Sequence, residues 1–347
     1  MPQWLIELTG NPKRTAKFGY KHLENGRSVE RKFSFSNFKF PACKSCNQNF
    51  ANLEADAKDI AQKILSEDSL SESELSTLLD WFDKIRIGLW LGYLYLGKNP
   101  LAISPHYHIE HRIRQHDRML AIFKADGTRE GLTFFGCDTP SFAHVPSCFS
   151  LRINSFYFLN MSYPNLLVRR MGFPFPLETY MMEDERLYCP FAKGRNRIMQ
   201  PVLKKPISIQ GTELYQPMFA GHIYTAEGTE KEELYDDEYV RNNCISWEEG
   251  IGRIFIKSDS GVNEYTASPS IEWIPKRTHA LEDLLSDIGI LTLDWQLYII
   301  DNLQPSLKFL SKEKRRSALK NQHLDKYYTK EMIKILRKKK LEMRARH

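Results

Sequence analysis

The chain has 347 residues, 42% apolar and 27% charged, with a formal net charge of +6 at neutral pH. This length suits two or three domains with a sizeable core, and the composition excludes disordered and fibrous classes. Six cysteines at irregular positions (43, 46, 137, 148, 189 and 244) do not form a secreted disulfide framework. Met1–Gly10 is too short and interrupted for a signal peptide. The longest apolar run, Ile87–Leu96, falls well short of the ~20 residues a membrane helix needs. A cytoplasmic protein with no membrane partner is expected.

In chain order, Trp4, Leu5 and Leu8 predict a short helix within residues 1–20 that runs into a loop at Gly10-Asn11-Pro12. Phe33 and Phe35 alternate, as do Phe38 and Phe40, with a phase slip at Asn37, which predicts two short strands or one bulged hairpin over Val29–Phe40. Phe50, Leu53, Ala57, Ile60 and Ile64 follow the helical period, so Asn47–Leu65 is expected to be a helix. The Ser/Glu-rich stretch Ser66–Ser76 is expected to be a domain boundary. Glu74–Leu96 reads as a buried core helix, and His106–Lys124 as a further, mixed helix. Aromatic and β-branched residues between turn signals over Gly131–Phe175 predict antiparallel strands at 132–135, 148–153, 156–159 and 166–168, ended by the Pro-punctuated run Gly172–Pro176. Glu227–Glu249 reads as an acidic surface loop or exposed helix, with short strands at 252–256 and 271–274. His279–Asp301 and most of Gln304 to the C-terminus are expected to be helical. The fold class is therefore α+β: a small module at 1–65, a mixed α and antiparallel-β domain at 75–302, and a basic helical tail at 303–347.

The charge is unevenly placed. Lys308–His347 holds 15 Lys and Arg against four acidic residues, a net +11, which leaves −5 for the rest of the chain. Such clustering is an electrostatic footprint for a phosphate backbone. Lys312, Lys314, Arg315, Arg316, Arg337, Lys338, Lys339 and Lys340 are its candidate nucleic-acid contacts, a solvated helix face being the bland alternative.

The chemistry-bearing stretch is Phe40–Glu54. Cys43 and Cys46 form a C-x2-C knuckle, a spacing that lets two thiolates grip one tetrahedral Zn²⁺, whereas a closed site needs four ligands and no second C-x2-C exists in the chain. Asn47 follows at once and is also suited to capping a helix. The order Met1-Pro2-Gln3-Trp4-Leu5-Ile6, then Cys43-x-x-Cys46-Asn47, Phe50 and Leu53-Glu54, resembles the second part of an HNH (ββα-metal) nuclease module over residues 1–65. The resemblance implies a structural Zn²⁺ held in part by Cys43 and Cys46, and a catalytic Mg²⁺ or Mn²⁺ with Asn47 as helix ligand. Glu54, two turns further along the same face, joins Asn47 as an expected site residue in a supporting role. Asn37 is a candidate loop brace, and His22 an alternative base that nothing around it favours. The family's first knuckle and general-base His are then expected upstream of Met1, leaving this chain without that His.

Other candidates are weaker. His106, His108, Glu110 and His111, with His116 and Asp117 beyond, are potential metal ligands, but their spacing matches no metal motif and a polar surface helix is the bland reading. Arg169-Arg170 and Arg195-x-Arg197 are potential phosphate contacts or simply solvated. Phe149–Phe158 reads as β core rather than a base-stacking platform. The expected function is metal-dependent DNA endonuclease, with a resemblance-level link to anti-phage or restriction-like effectors and a defence-system partner protein. The alternatives are a non-catalytic nucleic-acid-binding protein and an interaction subunit whose tail meets an acidic partner.

Overall fold

Helical apolar spacing dictates the first layer. In this computed structural model the described residues are 2–10, 15–22, 28–34, 48–96, 109–127, 129–177, 180–181, 187–188, 191–195, 197–219, 237–246, 249–267, 274–275, 277–302 and 310–345. Helix α1 (Gln3–Leu8) buries Leu5 and Ile6. Strands β1 (Thr15–His22) and β2 (Ser28–Ser34) form an antiparallel hairpin whose register shifts between Lys17 and Tyr20. Helix α2 (Ala51–Ser66) buries Ala57, Ile60, Ala61 and Ile64, one stripe at helical spacing. It ends in a Schellman-type turn: Glu67 takes φ 62°, its amide bonds to Ile64 O, and the Asp68 amide bonds to Lys63 O. Helix α3 (Glu72–Leu96) starts with a capping box, in which the Ser71 amide donates to the Glu74 carboxylate at 2.7 Å and the Glu74 amide donates to Ser71 Oγ at 3.2 Å.

The remaining principal elements are β3 (Asp117–Ala125), β4 (Leu132–Phe135), α4 (Pro140–His144), β5 (Cys148–Ile153), β6 (Phe156–Tyr163), β7 (Thr212–Gln216), α5 (Asp237–Asn243), β8 (Phe255–Ser258), β9 (Gly261–Glu264), β10 (Thr278–His279), α6 (Leu281–Asp301) and α7 (Lys312–Arg344). The main sheet runs β9-β8-β7-β3-β6-β5-β4, antiparallel throughout, with β10 pairing parallel to the end of β3. The fold is α+β. Period-two alternation splits each central strand between two cores. Leu120, Ile122, Leu151, Phe158 and Leu214 face a core shared with α1, α2 and α3, while Met119, Ala121, Phe123, Leu159 and Tyr215 face α6 and the loops around it. The sheet is therefore the middle layer of three. Each fully buried Leu or Phe contributes about 1.5–3 kcal/mol by removal from water, and both cores contain many. No described helix is long and apolar enough to cross a membrane.

Several expectations change. The segment expected as a helix to Lys124 is instead β3, the central strand, preceded by a single turn at Glu110–Arg112. Its polar start misled the pattern because Asp117 and Arg118 are both fully buried rather than solvated. Residues 166–168 form a turn, not a strand, because the Leu167 and Val168 amides point at Asp117 Oδ2 (2.5 and 2.9 Å) while Oδ1 accepts from Met218 N at 2.8 Å. Burial pushes the Asp117 carboxyl up to about 7, against the pull of these three amides. β1 falls where a loop was expected, and β7 and β9 were not anticipated. Within Ser66–Ser76, the stretch expected as a domain boundary, residues Glu67–Ser71 form the short turn between α2 and α3, and both helices contribute to one core. The expected strand at 271–274 lies mostly outside the described residues. The acidic stretch includes α5, and its first part lies outside the described residues too.

A buried polar network ties α3 to the sheet. Arg86 pairs with Asp83 at 2.8 Å and donates to Asn160 Oδ1 at 3.1 Å and to Pro146 O at 2.8 Å. Arg118 pairs with Asp80 and with Asp83 (3.3 Å), and its Nε donates to Gln216 Oε1 at 3.0 Å. Arg114, at the solvent edge, pairs with Asp80 at 2.6 Å and with Glu249. Burial pushes the Asp80 carboxyl up, and the guanidinium groups of Arg118 and Arg114 more than reverse it, so it is held below the usual carboxylate range. Removing one partner of a buried pair leaves an uncompensated charge. Asp83→Ala is therefore expected to cost about 3–5 kcal/mol in urea unfolding; a loss under about 1 kcal/mol would show that the network does not fasten the layers.

Helix α7 is docked, not a free tail. Gln322, Asp325, Thr329 and Ile333 form its buried stripe. Gln322 Nε2 donates to Ile300 O at 2.5 Å, Thr329 Oγ1 meets Ser141 Oγ at 2.7 Å, and Asp325 pairs with His144 at 2.7 Å. The hydrogen bond that the Asp325 carboxylate accepts from His144 raises the His144 pKa above its ordinary value. A raised histidine pKa contributes stability that is full below the unfolded value of about 6.5 and is lost as pH rises through the folded value. Amide exchange in α7 near Asp325 is thus expected to quicken as pH rises above about 6.5, beyond its intrinsic pH dependence, and a His144→Asn variant should lose that excess; equal excess in both would refute the link.

Candidate functional site

Hairpin β1–β2 precedes α2 in the chain, and the expected zinc knuckle lies between them. Cys43, Cys46 and Asn47, with Asn37, lie outside the described residues, as does the side chain of His22. Among the described residues, no group of three or more His, Cys, Asp or Glu side chains is placed to hold a metal ion. Phe50, rather than a capping polar side chain, occupies the N-cap position of α2.

The placement of Glu54 is well defined. Its Oε2 accepts from the Trp4 indole at 2.8 Å and from the Trp81 indole at 3.2 Å, and its Oε1 pairs with Lys84. The two indole rings lie 5.6 Å apart, and the Lys84 ammonium sits 5.0 Å from the centre of the Phe50 ring. One carboxylate thus fastens α1, α2 and α3 at a partly buried junction. This arrangement joins the Pro2-x-Trp4 opening to Leu53-Glu54 across fifty residues of sequence. It gives Glu54 a packing role, since both oxygens are committed to donors.

The His-rich segment contributes less than its composition promises. His106 and His108 lie outside the described residues, and Glu110 and His111 sit in an exposed single turn. Asn49, two residues beyond Asn47, donates to Glu110 Oε2 at 3.1 Å, so this turn adjoins the approach to α2. His116 is exposed at the surface, and desolvation by the surrounding protein and the nearby Arg86 lower its pKa.

The basic residues of α7 divide into two sets. Lys340 pairs with Asp287 and Asp283, Arg344 with Asp283 at 2.9 Å, Arg337 with Asp294 at 3.9 Å and Lys326 with Asp301 at 2.6 Å, so carboxylates of α6 neutralise much of the second half. Lys338 pairs with Glu342 of its own helix at 3.9 Å. Lys312, Lys314, Arg315 and Arg316 have no carboxylate partner among the described residues, and Lys339 is likewise exposed. From Lys312 to Asn321 every residue is exposed except half-buried Ala318. These first turns run past the C-terminal end of α6, because Gln322 is already level with Ile300. At 1.5 Å per residue the overhang is about 15 Å long. Further along, exposed Tyr327 and Tyr328 stand in edge contact at 5.6 Å among Lys330, Lys334 and Lys338.

Of the other arginines, Arg169 and Arg170 border a cleft on the α6 side, together with Lys204, which no local pattern in the sequence marks out. Arg195 and Arg197 are exposed beside Gly172, whose carbonyl accepts from the Arg195 amide at 2.5 Å.

Glu54→Gln retains an acceptor for the indoles but turns an amide NH₂ toward a cluster of donors. It is expected to lower stability by about 1–3 kcal/mol, read as a lower melting temperature, while Lys84→Met should cost less because the indoles keep their carboxylate. An unchanged melting temperature in Glu54→Gln would remove the fastening role. No protein-family model, curated protein or solved structure matches the chain.

Proposed function

We propose that this protein is a metal-dependent, HNH-type endonuclease acting on DNA. The observation that carries the reading is a hairpin followed in the chain by helix α2, the C-x2-C pair falling between them in sequence, with Trp4 and Glu54 hydrogen-bonded at 2.8 Å. Those two residues belong to the two pieces that the HNH resemblance pairs. Glu54 anchors the first turn of α2 to α1 and α3. Two thiols at C-x2-C spacing supply half of a tetrahedral Zn²⁺ site, and the Asn47 side-chain oxygen suits Mg²⁺ or Mn²⁺. A divalent ion there supplies stabilisation of charge developing on a phosphodiester and its leaving oxygen. The overhanging cations of α7 contribute a sequence-independent attraction for the phosphate backbone.

A second reading, nucleic-acid binding without cleavage, is favoured by the same overhang. Lys312, Lys314, Arg315 and Arg316 are exposed and lack acidic partners among the described residues, so their charge is available to a polyanion.

One experiment separates the two. The protein is incubated with supercoiled plasmid and Mg²⁺ or Mn²⁺, and DNA binding is measured over a salt series. Nicking that needs the metal and disappears in Asn47→Ala supports the nuclease. Replacing Lys312, Lys314, Arg315 and Arg316 by Gln should reduce the slope of log affinity against log salt by about 3–4. Salt-sensitive binding without nicking supports the second reading, and absence of both refutes both.

A further inference from the structure

The cleft bordered by Arg169 and Arg170 has a chemistry that the nucleic-acid reading does not use. It has a volume of about 260 Å³ and lies where the turn after β6 meets the end of α6. Three cations border it (Arg169, Arg170 and Lys204), with Tyr163, Tyr298 and Asn302, and no carboxylate is among its described lining residues. None of the three cations has an acidic partner within ion-pair distance among the described residues. Cations bordering one concavity without an acidic partner among the described residues repel one another in the free protein, and an anion relieves that repulsion.

The surroundings hold these groups in place. The turn carrying Arg169 and Arg170 is fixed from below by Asp117, which accepts the Leu167 and Val168 amides. The Arg169 guanidinium lies 5.3 Å from the centre of the Phe175 ring, an arrangement that orders a long side chain while leaving its in-plane donors free. The Arg170 backbone is held too, its carbonyl accepting from Met199 N at 2.7 Å. Its guanidinium is close enough to Tyr298 to oppose the rise that burial causes in that phenol's pKa. A helix C-terminus ordinarily repels an anion. Here the last carbonyls of α6 are already occupied: Asn302 Nδ2 donates to Tyr298 O at 2.6 Å, the Asn302 amide to Ile299 O at 3.0 Å, and Gln322 to Ile300 O.

The cleft is also more than an anion hole. Half-buried Tyr163 and Tyr298 line it, the latter in edge contact with Trp295 at 5.2 Å, and their phenol oxygens have no hydrogen-bond partner among the described residues. The volume lies just under the ~300–1,000 Å³ range of small-molecule pockets, which limits an occupant to one phosphate-bearing group and one ring system. We infer that this cleft binds a small phosphorylated ligand of nucleoside-monophosphate type, its phosphate held by Arg169, Arg170 and Lys204 and its ring lying against Tyr163 and Tyr298. The site opens on the α6 side of the sheet, opposite the layer that contains Glu54. The inference therefore stands or falls separately from the nuclease reading.

The test is calorimetric titration of the full chain with the four common nucleoside 5′-monophosphates, with adenosine and with inorganic phosphate. At least one monophosphate should saturate with Kd at or below about 1 mM and bind at least about tenfold more tightly than either adenosine or phosphate alone. Arg170→Gln/Lys204→Gln should weaken that binding by about tenfold or more, on the scale of lost charge-assisted hydrogen bonds, with the unliganded melting temperature unchanged. Lys204→Gln alone, at an exposed position, keeps the test open should the double variant unfold; it should weaken binding several-fold. The inference is overturned if no monophosphate saturates, if adenosine or phosphate binds as well as the best monophosphate, or if the variants bind normally. Binding of a single-stranded oligonucleotide through Arg170 and Lys204 with no monophosphate binding would also overturn it, and would make the cleft part of a nucleic-acid track.

Discussion

The pairing of Asp80 and Asp83 with Arg118 is the constraint on which the arrangement of layers depends. Arg118 is fully buried on the central strand and cannot reach water. Its charge is tolerable only because α3 presents two carboxylates across the core and β7 presents the Gln216 amide oxygen. Sliding α3 along the sheet by one turn would strand at least one of these charges in an apolar medium, where an unpaired ion costs several kcal/mol. Apolar packing alone tolerates many near-equivalent helix positions; the ion network selects one. Because Asp80 and Asp83 are one turn apart on a single helix, the network fixes the rotation of α3 as well as its position along the axis.

Once α3 is fixed, the N-terminal elements follow. Trp81 and Lys84 lie on the same helix as Asp80 and Asp83, and they are two of the three donors to Glu54. The third donor is Trp4 on α1. The route from the sheet to the hairpin–helix segment thus runs through one helix whose two faces carry two different polar clamps, Asp80/Asp83 toward the sheet and Trp81/Lys84 toward α2. Both clamps combine charge with directional hydrogen bonds, so both resist rotation better than a purely apolar contact. On the opposite layer Asp117 plays an equivalent part for loops, gathering amides from Leu167, Val168 and Met218.

The α+β class, helices α2, α3 and α6, and strands β4 to β6 are legible from apolar helical stretches and from aromatic and β-branched runs between turn signals. Ala57-Ile60-Ile64 is a helical stripe, and Leu151 and Ile153 alternate with Ser150 and Arg152. β3 was not legible, because two charged residues open it and both point into protein; local pattern cannot distinguish a charge that will find a buried partner from one that will be solvated. β7 was missed for a related reason, since Glu213 and Gln216 are buried polar residues satisfied by Tyr215, Lys257 and Arg118. The role of Glu54 was half visible. Its spacing from Asn47 marked it as part of a set, but its donors come from positions 4, 81 and 84, and no local window contains them. Lys204 was invisible as a partner of Arg169 and Arg170 for the same reason.

The docking of α7 carries a signal that the sequence did contain. Along α6 the carboxylates fall at Asp283, Asp287, Asp294 and Asp301, and their partners on α7 run Arg344, Lys340, Arg337 and Lys326. The two orders are opposite, which is the charge register of an antiparallel helix pair. Reading the last forty residues as a uniformly basic tail therefore overstates the charge available to a ligand, because a good part of it is spent within the fold. Most of what remains lies in the turns before Gln322, past the end of α6, and in the cleft at that same end of α6, with Lys330 and Lys339 exposed further along α7. Neutralisation along one stretch and exposure along the next concentrate the positive potential at one end of the helix pair, and a localised field is more selective for where a phosphate group binds than the same charge spread over a whole helix.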